Sequence, residues 1–515
     1  TDPTLTETWA FTGSAISIGT GVDDTTIGGT TVADANVIRN GAAGGVVLTA
    51  AAGSGNSIVG NSIVANTGVG IDLSGGVENP AGVTANDAGD GDSGPNDLLN
   101  RPSLSGSVET APGSLTTTVD LDVPAGSYRI EVFRAAASGL LDDSGAGEGE
   151  VLLGSGSAVH AGSGSERFTI VHPGAAGDLI SATVTIDLGA GDLGSTSEFS
   201  RARPVLGATE IAVNDTGDAT DLVPGDGLCD TGGFNADGEA ACTLRAAIDE
   251  VNGAGGIDTI RFDVPTADTN HGSGVWTIAP ASGLASITEP VTIDATTQPG
   301  WTAGAGTPVV ELDGTGAGAT ADGLAIGATG VTVRGLAIGS FGRDGVSVGG
   351  GATSGTVIAG NHLGLDTSGL IGRGNGRHGV LLGPGAASVV VGGSGSADGN
   401  VLSGNGGAGV RVLSSDGNTL IGNLIGTDAT GLASLANVGD GVSLSGTTAG
   451  NLVGQVGSGN VIAGNGGDGI ESDASGAGTI IRANTIGLGV DGATIVANTG
   501  SGIVLGNGAN TTTVG

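Results

Sequence analysis

The sequence predicts an all-β chain: a right-handed parallel β-helix in two stretches, separated by an immunoglobulin-like β-sandwich and a small disulfide-containing segment with one short helix. Three observations carry that expectation. Short runs rich in Val, Ile and Leu recur along most of the chain. Gly, Asn and Asp separate them, as tight corners between strands require. Two motifs return at a period near sixty residues, which is the mark of a stacked repeat.

The first motif is Asn361-His362-Leu363-Gly364-Leu365-Asp366-Thr367-Ser368-Gly369. It recurs from Asn423 and, more loosely, from Asn484, at steps of 62 and 61 residues. The second, Gly399-Asn400-Val401-Leu402-Ser403-Gly404-Asn405-Gly406, recurs from Gly459 at a step of 60. The two alternate, so one turn takes about thirty residues, too few to bury its own apolar face without neighbours above and below. Asn at a fixed corner suits a ladder in which each side-chain amide donates to the next turn. Asn361, Asn400, Asn423, Asn460 and Asn484 are assigned to it; the alternative is that each Asn only tolerates a left-handed loop conformation.

The same pattern occupies residues 1–76, where Asp34-Ala35-Asn36-Val37-Ile38 and Asn61-Ser62-Ile63-Val64-Ala65-Asn66 look like further turns. The two ends also match each other. Thr12–Gly19 parallels Thr499–Gly506 and Thr25–Gly28 parallels Thr512–Gly515, both at an offset of 487 residues. This predicts a tandem super-repeat, with the second solenoid stretch, 255–515, cut mid-turn. Trp9 and Phe11 are read as capping the first solenoid stretch, and Trp276 and Trp301 the start of the second.

Composition agrees with ordered β-structure. Gly contributes 107 of 515 residues and aromatics 2%, yet hydrophobic residues reach 38%, more than a disordered chain carries. The net charge of -37, with fifteen Arg and no Lys, disfavours nucleic acid and anionic membrane as partners. There is no Met, no signal peptide and no apolar run long enough to span a bilayer.

Between the solenoid stretches, residues 77–102 form an acidic linker. Asp87, Asp90, Asp92, Asn96 and Asp97 alternate with Gly, a donor set that suits Ca2+, although the loop lacks the distal Glu of an EF-hand. A solvated linker is the alternative. Residues 103–206 alternate with period two, as in Thr117–Val123, Tyr128–Phe133 and Ile180–Ile186, and predict the sandwich. Its excursion 141–150 is a second acidic loop.

Residues 207–254 hold three further candidate ligands, Asp215, Asp218 and Asp226, and both cysteines. Leu244, Ala247, Ile248 and Val251 share one face of a helix that Thr243 can cap. Cys229 and Cys242 close a short loop, with no His nearby in sequence and no C-x-x-C spacing. A disulfide in an oxidising, extracellular compartment is expected, with a free pair or a catalytic thiol as alternatives. Cys242-Thr243-Leu244-Arg245-Ala246-Ala247-Ile248, preceded by Asp-Gly-Leu-Cys, resembles the CSLREA domain of bacterial secreted proteins. Thr243 stands where that family has Ser, and Ala246 where it has Glu. The turns around Asn423 resemble the β-helix repeats of large bacterial surface proteins.

The resemblance implies secretion and a structural or adhesin-like role at the cell surface, and it supplies no catalytic residue. The expected partners are neighbouring modules of the same polypeptide or like chains, and surface glycans. The rival is a polysaccharide lyase or hydrolase on a β-helix. That chemistry asks for a base beside bound calcium or for paired carboxylates in a groove. From 318 onward the sequence offers a single aromatic, Phe341, and a single basic cluster, Arg334, Arg343, Arg373 and Arg377 near His362 and His378. A solvated or contact face is the preferred reading of that cluster.

Overall fold

The computed structural model describes the chain except residues 1–11, 79–81, 112, 136–147, 176, 206–209, 238, 255, 257, 258, 303, 305, 351, 352, 475–477, 507, 508 and 510. Trp9, Phe11 and most of the acidic excursion 141–150 therefore lie outside the described residues. The chain divides into two units, Thr1–Ala208 with Gly233–Ala240, and Thr209–Gly232 with Ala241–Gly515.

In the first unit, short runs with alternating burial stack into a small parallel β-helix. Ile16–Ile18, Val46–Leu48 and Ile71–Leu73 form one face in parallel register. Thr26–Gly28 with Ser57–Val59, and Val37–Ile38 with Ser62–Ile63, form the other two. Ile18, Ile38, Val46, Leu48, Ile58, Ile63, Ile71 and Leu73 point inward and are buried. The sandwich follows as expected. An antiparallel sheet of Ser103–Ala111, Ser114–Leu121 and Glu166–Pro173 faces a second one built from Val151–His160, Gly126–Arg134, Leu179–Gly189, Asp192–Thr196 and Arg203–Pro204. Leu115, Val119 and Leu121 from one sheet meet Ile130, Val132, Ile180 and Val184 from the other.

This sandwich is a lid on the last solenoid rung. A rung with no successor leaves backbone N–H groups without acceptors. Three buried glutamates of the sandwich supply them. Glu131 Oε2 accepts from Gly60 N at 2.8 Å. Glu148 Oε1 accepts from Asn66 N and Nδ2 at 3.0 and 2.8 Å. Glu198 takes Leu73 N on one oxygen and Thr84 N on the other, both at 2.9 Å. Backbone completes the seam: Ile63 N donates to Gly149 O and Thr196 N to Asn56 O. Phe133 and Phe199, edge to face at 5.4 Å, enter the solenoid core beneath these bonds. Gly149 is required there, since a Cβ would lie 2.7 Å from the Phe133 ring.

In the second unit three sheets run side by side, of ten, nine and seven strands, parallel throughout except for the antiparallel edge strand His271–Gly272 of the nine-stranded one. One rung is typical: Val390–Gly392, Val401–Leu402 and Val410–Leu413 pair with Thr419–Ile421, Leu424–Ile425 and Val442–Gly446 of the next. Val391, Leu402, Val410 and Val412 fill the column and are fully buried. The sequence places the start of this solenoid at 255. The sheet instead begins at Glu210–Val213, which pairs in parallel with Thr259–Phe262. The intervening helix, Leu244–Ala254, explains the difference: Leu244, Ala247, Ile248 and Val251 enter the solenoid core, so the cysteine-bearing segment covers the first rung. Thr243 Oγ1 accepts from Ala246 N, as a cap should. Trp276 is buried in the same core and donates to Pro265 O.

Burial pushes the Glu198 carboxyl up to about 7, against the pull of its two backbone donors. Its proton is held more tightly in the fold than in the unfolded chain. The associated stability is therefore fully present below the ordinary carboxylate range and is lost as pH rises through about 7. Urea midpoints of the first unit should fall between pH 5 and pH 8, with Glu198 contributing roughly 2–3 kcal/mol. In Glu198→Gln the slope should flatten; an unchanged slope would show that this carboxyl does not set it.

Candidate functional site

Two continuous ladders of side-chain amides dominate the second unit. At the corner between the ten- and nine-stranded sheets, Nδ2 of Asn361, Asn400, Asn423 and Asn460 donates to Oδ1 of Asn400, Asn423, Asn460 and Asn484, at 3.1, 3.0, 2.9 and 2.9 Å in turn. The asparagines of the two sequence motifs thus alternate in one ladder. Each Oδ1 also accepts the backbone N–H of the preceding Asn. The second amide proton reaches back to a carbonyl of the preceding rung, as from Asn423 to Val391 O. One amide thereby ties three rungs together. Gly392 makes room for it: its φ is 93°, and a Cβ would lie 2.6 Å from Asn423 Oδ1.

A second ladder was missed in the sequence. Asn375, Asn405, Asn437, Asn465 and Asn498 run the same way at the next corner, at 3.0, 2.9, 2.9 and 2.9 Å. The signal was present, because these asparagines recur 30, 32, 28 and 33 residues apart. Asn418 and Asn451 make a shorter third one. Most of these side chains are fully buried, where an unpaired amide would be costly.

The predicted cation ligands divide. Asp87, Asp90 and Asp92 come together, with one ligand atom from each within 4.8 Å of the others. Burial pushes Asp90 up to about 7, and the charges of Asp92, Asp87 and Asp97 add to it. Asn96 does other work: it accepts from Asn56 N and donates to Asn56 O and Thr196 O, stitching the linker to the rung. Asp97 accepts from Ser54 and Ser195. Asp215 accepts from Gly217 N, Asp218 pairs with Arg245 at 2.7 Å, and Asp226 accepts from Leu228 N. These three form no cluster with one another among the described residues. A carboxylate the sequence did not flag organises their segment. Glu250, buried on the helix, accepts from Gly225 N and Gly227 N. Cys229 and Cys242 are joined by a disulfide, with Cα atoms 5.2 Å apart.

The basic cluster resolves into separate ion pairs. Arg334 meets Asp294, Arg343 meets Asp322, Arg373 meets Glu311 and Arg377 meets Asp344, at 3.6 to 4.0 Å, each a half-exposed guanidinium against a largely buried carboxylate. Such pairs contribute about 0–1 kcal/mol each. His362 is buried and bonds Asp366 O, and burial lowers its pKa. His378 is pushed down to about 4 by burial and by Arg377 and Arg411, so it is neutral at pH 7. A cavity of about 460 Å³ lies beside the first ladder, lined by His362, Asn400 and the Gly- and Ser-rich loops at 393–397 and 457–459.

No family model matches the chain, and no curated protein matches it. A solved structure it resembles is the catalytic unit of a thermostable GH87 alpha-1,3-glucanase from Streptomyces thermodiastaticus strain HF3-3. The identity is 13%, the match covers 78% of this chain and 91% of that chain, and the TM-score is 0.20. A likeness this weak carries no argument about activity.

Ladder position sets the cost of losing an amide. Asn423→Ala should strip partners from Asn400 and Asn460 and lower the stability of the second unit by about 2–3 kcal/mol. Asn484→Ala, at the half-buried end of the same ladder, should cost clearly less. Chemical denaturation of the two variants tests the order; equal losses would mean that the bonds do not act as a ladder.

Proposed function

We propose that the chain is a non-catalytic structural module of a long, repetitive extracellular fibre or cell-surface protein. Its partners are neighbouring modules or like chains. The observation that carries this reading is the pair of amide ladders: chemistry-bearing side chains of the column interior are spent on joining rung to rung. The disulfide supports an oxidising, extracellular location. No helix among the described residues is long and apolar enough to cross a membrane. The CSLREA resemblance adds secretion. Glycosidase chemistry asks for two carboxylates facing one another across a groove, whereas the cavity beside His362 is lined by Gly, Ser, Thr, Ala, Val, Leu, Asn and His.

Incubation with acidic and neutral polysaccharides should produce no new reducing or unsaturated ends. Cleavage of any of them would overturn the structural reading in favour of an enzyme. Binding without cleavage would turn it toward a glycan-gripping adhesin.

Ca2+ is the proposed occupant of the Asp87, Asp90 and Asp92 loop, where a hard cation would relieve the mutual repulsion of three carboxylates. Asp90 accepts from Asn100 N, and Asn100 Nδ2 in turn donates to Asp122 O, just past the sandwich strand Ser114–Leu121, so the loop joins linker to lid. Added Ca2+ should raise the melting temperature of the protein at neutral pH, and a chelator should reverse it. Asp90→Asn should abolish the response; a chelator-insensitive melt would remove calcium from the account.

A further inference from the structure

The two solenoids end differently. The first has three rungs on its longest face and a glutamate lid; the second has a long column whose last described strands, Thr485–Ile486, Ile503–Leu505 and Thr513–Val514, pair on one side only among the described residues. Leu505 and Val514 are 47% and 51% exposed there. At the start of the first solenoid, Ile16–Ile18, Thr26–Gly28 and Val37–Ile38 also pair on one side only among the described residues, and Val37 is 70% exposed.

We propose that the open edge of the second unit is the seat for a second copy of this chain, in the register where rung 499–515 takes the place of that copy's own rung 12–28. The proposal rests on the structural reading above and names its partner and geometry. Two observations fix the register. The strands Ile16–Ile18 and Ile503–Leu505 coincide at the 487-residue offset seen in the sequence, and so do Thr26–Gly28 and Thr513–Val514. The ladder supplies an independent measure. Its steps alternate long and short, 39, 23, 37 and 24 residues from Asn361 to Asn484. The next step must be long and the one after it short. At that offset the second copy's Asn36 falls 39 residues beyond Asn484, and Asn36 itself donates to Asn61 across 25.

Asn36 is exposed, unlike the buried central members of the ladder, and in this register it receives the Nδ2 of Asn484. Val37 then pairs with Thr485, and Ile38 with Ile486, as Leu424 and Ile425 pair with Val461 and Ile462 within the column. At the corner of the second ladder, Gly41 falls at the next position after Asn498: its N–H donates to Asn66 Oδ1 as the asparagines do, but it has no amide to receive Asn498, so only the first ladder runs unbroken across the junction. Two rungs later the second copy brings its own lid of Glu131, Glu148 and Glu198, so the seated copy both continues the column and closes it.

The test is a chain in which residues 29–515 of a second copy follow Gly515 of the first, compared with the single chain. Amide exchange over 485–515 should slow at least tenfold in the double-length chain. Cys introduced as Thr485→Cys in the first copy and Val37→Cys in the second should form a disulfide, since paired strands lie within bridging range, about 5 Å. Thr485→Cys with Arg39→Cys should not. Unchanged exchange, or cross-linking that favours the shifted pair, would overturn the proposal. The polysaccharide assay, run on the same preparations, separates the two readings. Failure of the register with intact polysaccharides sinks only the seat, whereas cleavage sinks the structural role whatever the exchange shows.

Discussion

Everything in this molecule answers one constraint: a rung of short strands exposes backbone donors and acceptors along both of its edges, and each must find a partner. Inside the column the partner is the next rung. At a corner the strand ladder is interrupted, and there asparagine takes over, its amide donating forward and backward at once. Where the first solenoid stops, glutamates from a different fold class accept the protons left over. The helix Leu244–Ala254 covers the opposite kind of end, laying an apolar face over the first rung of the second unit. The three solutions look unrelated, but each fills positions that the stacking geometry leaves open.

The repeat and its period were legible because burial writes directly into the sequence: Val391, Leu402 and Val410 point inward, and few residue types serve there. The helix was legible for the same reason. The first ladder could be read because its asparagines sit in motifs that repeat almost verbatim. The second escaped although Asn405 and Asn465 sit in a repeated motif too, because Asn375, Asn437 and Asn498 lie outside it, flanked variously by Gly, Ala, Val and Thr. The start of the second solenoid was misplaced by more than forty residues, since a strand of four, Glu210–Val213, carries too little pattern to announce its partner beyond an inserted helix.

The lid was not legible at all. Glu131, Glu148 and Glu198 look like ordinary surface acids in a chain with 52 acidic residues. Only long-range packing reveals that they accept from Gly60, Asn66 and Leu73, which lie 71 to 125 residues away. The acidic loop shows the reverse. Composition marked five oxygen donors as a set, but Asn96 and Asp97 are turned away by the linker's positive-φ bend and bond the rung instead. Spacing along a chain brings ligands within reach; direction of the side chains decides which of them meet.

In both ladders the amides are oriented alike: one N–H of each points to the higher-numbered rung and its C=O to the lower. Their dipoles add rather than cancel, so the column has a chemical arrowhead. Turned end for end, a neighbour would present like groups to like groups along both corners. Any assembly built through these corners is therefore polar, with every subunit facing the same direction, and no mirror-symmetric pairing of heads or of tails is open to it.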